Sequence, residues 1–322
     1  MKRFLARLLA IGLILILIGG VIFVIAFAAS GWNFDNISGI TYSSVTVTET
    51  DVGEINEIKI DFDTTDVKVN FDPEAKEVSI TYPIKQNNKG MDLTTVQQRY
   101  ENGMLALEEE GNSKINLYLW NFDLNNDNII TVTVPQSKII GVDITLDTGD
   151  TAISGIGSLK YLKLETDTGD FNSENSTIAV TEKTSFKTDT GNIKLGKIDT
   201  ASLYVETSTG DLHTMDVTVT DKINVECDTA YIYMNGTLTA AGIEIETDTG
   251  DVEGKKGLLN SPNIVITTDT GDVEIKIAGK KADYTVLTHT DTGDSNITNQ
   301  VSGAKQLNIS TDTGDIEVYF TE

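Results

Sequence analysis

Residues 146–150 read LDTGD, and the tetrapeptide DTGD or a close variant returns eight more times along the chain. Copies start at residues 147, 167, 189, 208, 228, 248, 269, 291 and 312, so the spacing stays between 19 and 22 residues. Intact copies include Asp147, Thr148, Gly149 and Asp150; Asp167, Thr168, Gly169 and Asp170; Asp248, Thr249, Gly250 and Asp251; Asp269, Thr270, Gly271 and Asp272; and Asp312, Thr313, Gly314 and Asp315. Variants read DTGN at 189–192, STGD at 208–211 and DTAY at 228–231. Self-similarity at a period near 21 marks an architecture of stacked units, each too small to bury its own inner face.

The flanks say what the unit is. Before the motif, apolar or small residues alternate with polar ones, as in Ile243, Ile245 and Thr247 around Glu244 and Glu246. After it, an apolar residue follows at once in most copies, such as Phe171, Val252 and Ile316, with Thr151 and Ser295 as exceptions. This period of two predicts a strand on each side, with one face inward. From Thr247 to Val252 is five steps, and an odd number would throw the second set outward on a flat strand. The chain must therefore turn at the tetrapeptide. Glycine at the third position supplies an unusual or crowded φ, and Asp at the first is expected to accept backbone N–H groups inside the turn. Threonine at the second position is expected to bond its equivalents in neighbouring coils, about 4.8 Å away.

The fold class expected is all-β: a single-chain parallel β-solenoid of coils of about 21 residues, preceded by one N-terminal transmembrane helix. Successive coils stack on one another. A degenerate copy, Asp63-Thr64-Thr65-Asp66, stands earlier in the same frame, and EVSITYPI, GMLALEEE, KINLYLWNF and IITVTVP between it and the regular array also read as strands. Loops are expected at 85–95 and 121–128. The layout is a basic cytoplasmic segment 1–7, a transmembrane helix 8–29, a stalk 30–54, and a solenoid 55–322, irregular over 55–135 and regular over 136–322. The irregular coils would cap the membrane-proximal end, and IEVYFTE would leave the other edge uncovered.

The apolar run after Lys2, Arg3 and Arg7 is long enough to span a bilayer, and the basic residues ahead of it put the N-terminus in the cytoplasm and the rest outside. The chain carries −25 in total; with those three the charged residues of 1–30, the remainder carries −28. Such a surface repels nucleic acid and anionic lipid and leaves cations, basic patches or neutral sugars as partners. A single cysteine, Cys227, excludes an intramolecular disulfide and a multi-cysteine zinc site.

Asp-Thr-Gly is also how aspartic proteases carry their catalytic carboxylates. They need two such acids in one cleft, about 3 Å apart, whereas nine stacked corners line their acids along an edge. No catalytic, cofactor-binding or metal-binding residue is assigned. Calcium is the alternative, since two Asp per coil plus carbonyls could supply six to eight oxygens. His213 and His289 are expected at surface or ladder positions, Cys227 as a buried inert thiol, and Tyr231 and Tyr233 facing outward around Ile232. The aromatic run LYLWNF at 117–122 is expected to form a capping core.

IKIDFDTTDVKV, then LWNF, then ITVTVPQSKIIGVDITLDTGD, then tandem DTGD units, together resemble the bacterial "putative adhesin" domain family of unknown function, with LiaG-like members. The resemblance covers 55–322 and implies a β-solenoid outside a Gram-positive-type cell, some of whose members accompany envelope-stress systems; it transfers no catalytic residues. The function expected is a membrane-anchored, extracytoplasmic, non-enzymatic adhesin-like, scaffold or stress-response accessory protein. Its partners would be the membrane and an envelope protein or polysaccharide, not nucleic acid. A polysaccharide-active β-helix enzyme is the weaker alternative, because arginine is absent after Arg99.

Overall fold

Side chains alternating in and out along short β-branched runs build parallel strands that share one column of apolar residues. The computed structural model describes residues 19–25, 27–29, 40–87, 89–111 and 128–322. These fall into two compact units, a larger one of Thr46–Tyr82, Val96–Glu109 and Ile129–Glu322, and a smaller one holding the described residues of Met1–Val45, Pro83–Thr95 and Glu110–Asn128.

In the larger unit each regular coil contributes to three parallel faces. The first face ends in the tetrapeptide and runs through Glu57–Thr64, Ile139–Thr148, Lys222–Thr229, Gly242–Thr249, Asn263–Thr270 and Lys305–Thr313 with their counterparts in the intervening coils. The second follows the corner, through Phe171–Asn172, Ile193–Leu195, Leu212–Thr214, Ile232–Met234 and Val273–Ile277. The third closes the coil, for example at Val217–Val219 and Thr237–Thr239. Ile60, Ile144, Val205, Val225, Ile245 and Ile266 stack in register on the first face, and Leu212, Ile232, Val252 and Val273 on the second, all buried. Phe171 and Phe186 meet across the core with ring centroids 4.4 Å apart. A buried aliphatic side chain of this kind contributes about 1.5–3 kcal/mol.

The coils do not stack in strict chain order, which corrects the expected succession. At one end, the coil holding Asp63–Asp66 lies directly against the one holding Asp147–Asp150, although Asp66 and Asp150 are 84 positions apart. Met104–Gly111 and Ile129–Pro135 form the coil outside it, pairing Glu57–Thr64 and Asp66–Asp72 in parallel. The antiparallel strand Ser79–Asn87 then caps that edge through Ser79, Ile80 and Thr81. At the other end, Lys305–Thr313 sits between Asn263–Thr270 and Tyr284–Thr292. Ile316–Phe320, expected as the open edge, is therefore an inner strand bonded to Val273–Ile277, with a bridge from Ser295 to Ile316 on its far side. The reason is burial: at this position the displaced coil presents the small polar Ser295, which is exposed, whereas Ile316 is fully buried and the array's one hydroxyl here, Thr151, keeps a buried methyl-bearing side chain. The coil with the least apolar surface to bury here goes where one side meets water.

The region read as a stalk is regular structure from residue 40: strand Ile40–Thr48 and one helical turn, Glu49–Val52. Glu49 ties that turn to the column, accepting N–H groups from Ile55 at 2.8 Å and Val78 at 3.0 Å and the Lys138 Nζ at 2.7 Å. In the smaller unit, residues 19–25 and 27–29 are helical. Among the described residues no helix is long and apolar enough to cross a membrane, and much of 8–29 lies outside them. Within the expected loop 85–95, Asn87 Oδ1 accepts N–H from Lys89 and Met91, and Leu93 N–H returns to Lys85 O at 2.7 Å. The expected strand 114–122, the aromatic run 117–122 and the loop 121–127 lie outside the described residues.

Candidate functional site

The repeated tetrapeptides stand over one another along one corner of the column. Their threonines are in register through ten coils, from Thr64 through Thr148, Thr168, Thr190, Thr209, Thr229, Thr249 and Thr270 to Thr313 and Thr292. The N–H at the third position donates to the threonine carbonyl of the next coil, at 2.9 Å from Gly169 to Thr190 and from Gly250 to Thr270. At the glycine-bearing corners close approach favours glycine, and at some of them φ does as well. A Cβ on Gly169 would collide with the Gly149 carbonyl oxygen, and one on Gly250, at φ +137°, with that of Ala230.

The aspartates divide into two rows with different work. Among the described residues, the carboxylates of Asp147, Asp167, Asp248, Asp269 and Asp312 accept no hydrogen bond; they are exposed. The task expected of them falls to the fourth position, and it crosses between coils instead of staying inside the turn. Asp66 Oδ1 accepts from Asp150 N–H at 2.9 Å, Asp150 from Asp170 at 2.8 Å, and Asp170 from Asn192 at 2.7 Å. The row continues from Asp251 to Asp272 at 2.8 Å, from Asp272 to Asp315 at 2.7 Å, and from Asp315 to Asp294 at 2.8 Å. A carboxylate accepting a backbone N–H is a charge-assisted bond, stronger than a neutral one. Among the described residues, the second-position threonine hydroxyls from Thr148 onward do not bond one another; hydroxyl bonds across coils at this corner come from the inward threonines just before the motif. Thr188, Thr207 and Thr311 donate to the carbonyls of Gly169, Gly191 and Gly271 at 3.3, 3.4 and 3.2 Å. The recurring Thr at that position was the available signal.

Cys227 takes this inward place in the variant coil. It is a free, buried thiol whose pKa is pushed up to about 12, by burial first and then by Asp228 and Glu226. The corner DTAY keeps the frame: Ala230 N–H reaches Thr249 O at 2.9 Å and Tyr231 N–H reaches Asp211 Oδ1 at 3.1 Å. Tyr231 offers no carboxylate to the next coil. Its ring stacks with Tyr233 at 6.2 Å, and Tyr233 with His213 at 4.7 Å, so these outward rings are a ladder of their own.

Concavities among the described residues include two on the outer faces. A groove lined by Asp251, Glu253, Asp272, Glu274, Asp315 and Glu317 follows the Asp row. There the Oδ1 atoms of Asp251, Asp272 and Asp315 are taken by N–H groups, and Glu274 is paired with Lys255. Among the described residues, no group of three or more His, Cys, Asp or Glu side chains is arranged to hold a metal ion. The other is a cleft of about 350 Å³ across Val265, Thr267, Leu287, His289, Asn308 and Ser310 near the terminal coils.

A column of parallel coils with a hydrogen-bonded aspartate corner defines an all-β repeat protein of the solenoid type. The chain belongs to the Toastrack DUF4097 family, which it matches over residues 55–319. Solved structures to which the chain is similar include one from Bacteroides fragilis described as a putative adhesin, 14% identical, covering 86% of this chain and 97% of that one, with a TM-score of 0.40. Another, from Parabacteroides distasonis and described as a putative lipid binding protein, is 13% identical over 88% and 97% of the two chains, with a TM-score of 0.46. A third, from Clostridium sporogenes and described as a putative cell adhesion protein, is 13% identical over 88% and 100%, with a TM-score of 0.27. No curated protein matches the chain.

Proposed function

We propose that this protein is a membrane-anchored, extracytoplasmic, non-enzymatic surface module of the LiaG-like kind, which binds an envelope polymer or protein in an adhesin-like, scaffold or stress-accessory role. The observation that carries the reading is the use of the fourth-position carboxylates. Asp150, Asp251 and Asp272 are each bonded to a backbone N–H of the adjoining coil, and the first-position aspartates of the Asp-Thr-Gly triplets stand exposed, one per coil along the corner, which supports a structural corner over a catalytic pair in one cleft. The apolar run over 8–29, with Lys2, Arg3 and Arg7 ahead of it, supports an anchor with the solenoid outside. The net charge of −25 disfavours nucleic acid and anionic lipid as partners.

The test is capture. The full chain, tagged at its C-terminus and held in mild detergent, is incubated with intact envelopes; retention that withstands 0.5 M salt is expected, and its absence removes the binding role. Protease added to intact cells is expected to digest the solenoid, and protection of the solenoid would reverse the orientation. Turnover of any wall polysaccharide, abolished by a single Asp substitution, would replace this reading with the enzyme alternative.

A further inference from the structure

The cleft near the terminal coils differs chemically from the rest of the surface. On a chain carrying −25, no Asp, Glu, Lys or Arg lines it. Its walls come from three coils that are neighbours only because the coil order is exchanged at this end. Asn308 lies between Val265 and Leu287, and Ser310 between Thr267 and His289. On the same outer face further along the column, the equivalent rows hold charged residues such as Lys163, Glu165, Lys187, Glu206 and Glu244.

Part of the cleft's polar surface is already used, since His289 Nε2 is paired with Asp291 Oδ1 at 2.9 Å, and part is unspent. Among the described residues, the side chains of Thr267, Asn308 and Ser310 have no hydrogen-bond partner. Asn299 is fixed by its carbonyl oxygen, which accepts the N–H and the hydroxyl of Thr288 at 2.7 and 2.9 Å, and this leaves its amide NH2 as a donor. Hydroxyls and amides both donate and accept. They suit a ligand whose own groups do the same. Val265 and Leu287, the latter 44% exposed, add apolar surface for C–H faces. A peptide added as a strand is disfavoured, because Val286 and Gln300 already exchange both backbone bonds along this edge, at 2.8 and 2.9 Å. A cation would be drawn to the carboxylate groove on the other face, and an anion is repelled by the chain as a whole.

We propose that this cleft binds a neutral saccharide, with Asn308, Ser310, Thr267 and the Asn299 amide bonding its hydroxyls and Val265 and Leu287 packing on its C–H face. The volume falls in the range of small-ligand sites. The inference rests on the surface-binding reading above and narrows its ligand to a sugar.

The test is isothermal titration of the full chain in mild detergent with chitotriose, cellotriose and maltotriose, against a hyaluronan tetrasaccharide and trilysine as charged probes. At least one neutral trisaccharide is expected to bind. Asn308→Ala combined with Ser310→Ala weakens that binding about tenfold or more, as the loss of two hydrogen bonds implies. Both sites are outward-facing, and the double variant keeps the wild-type melting temperature. Glu253→Gln with Glu317→Gln, in the carboxylate groove, leaves sugar binding unchanged. Binding of charged probes alone, binding undiminished in the double variant, or no binding of any neutral trisaccharide overturns the proposal. So does concentration-dependent dimerisation that the double variant abolishes without any saccharide heat, which would assign the cleft to a second copy of the chain. Envelope capture that persists unchanged in the double variant defeats the saccharide site and leaves the surface-binding reading standing; absence of capture by the wild type defeats that reading itself.

Discussion

The middle of the column and its two ends obey different rules. Between Asp147 and Asp272 each coil lies on the next in chain order, and each corner repeats the same backbone bonds. At both ends the order is exchanged, so that the coil nearest the array is not the next one along the chain. In the array, a residue's burial follows from its place in the repeat. At the ends it follows from which coil is outermost. Ser295 stands in a coil with one wet side and is exposed, and the same exchange brings together the cleft that no Asp, Glu, Lys or Arg lines.

The largest effect should come from the array's corner. Gly169→Ala forces a Cβ onto the Gly149 carbonyl and should lower stability by about 3 kcal/mol or more in chemical denaturation. Gly242→Ala, whose Cβ would meet nothing nearer than Lys222 Cγ at 3.7 Å, should change it by less than about 0.5 kcal/mol. Neither glycine has a positive φ, so equal losses would mean that close approach to the Gly149 carbonyl is not what selects glycine at the corner.

The exchange of coils is tested by opposite swaps. Ile316→Ser puts a hydroxyl where a fully buried side chain packs between two coils and should cost about 3 kcal/mol. Ser295→Val at the outer coil should be neutral or stabilising by up to about 1 kcal/mol. If the second swap costs as much as the first, the burial argument for the coil order fails.

Acid should loosen the capped end first. Burial alone would raise the Glu49 pKa, but the bonds from Lys138, Val78 and Ile55 outweigh it and hold the carboxyl below its ordinary 4.5. A folded value below the unfolded one means that this contribution is complete above about pH 4.5 and disappears as pH falls through the folded value. Glu49→Gln should cost about 1–3 kcal/mol at pH 7 and much less at pH 3. Thermal melts across that range check the sign, and a constant difference would rule it out.

The smallest contrast is within the Asp row. Asp170→Ala removes the acceptor for Asn192 N–H and should cost about 1 kcal/mol. Asp294→Ala, in the outermost coil, removes a carboxylate that accepts from no further coil and should leave the melting midpoint unchanged. Matching effects would detach the row from stability.

Strand positions, inward rows and the corner were legible because alternation and an odd step across DTGD are local facts. The degenerate corner at Asp63–Asp66 was legible for the same reason. The division of labour between the two Asp rows was not, because Asx-type bonding inside a turn and bonding to the next coil look identical in one-dimensional spacing. The stalk assignment missed Ile40–Thr48 since the bonds that hold its continuation, those of Glu49 to Val78 and Lys138, are made to residues far along the chain. Ser295 was visible as an exception in the repeat; its meaning was not.

The sequence by itself determined the unit: two half-buried strands hinged at a tetrapeptide, repeated too often for a catalytic dyad and too short to bury its own face. Only the tertiary structure decided how the units are ordered, which aspartate holds the next coil, and where an uncharged cleft opens. Periodicity fixes which way a side chain points, while its neighbour in the stack is chosen by competition among coils for burial.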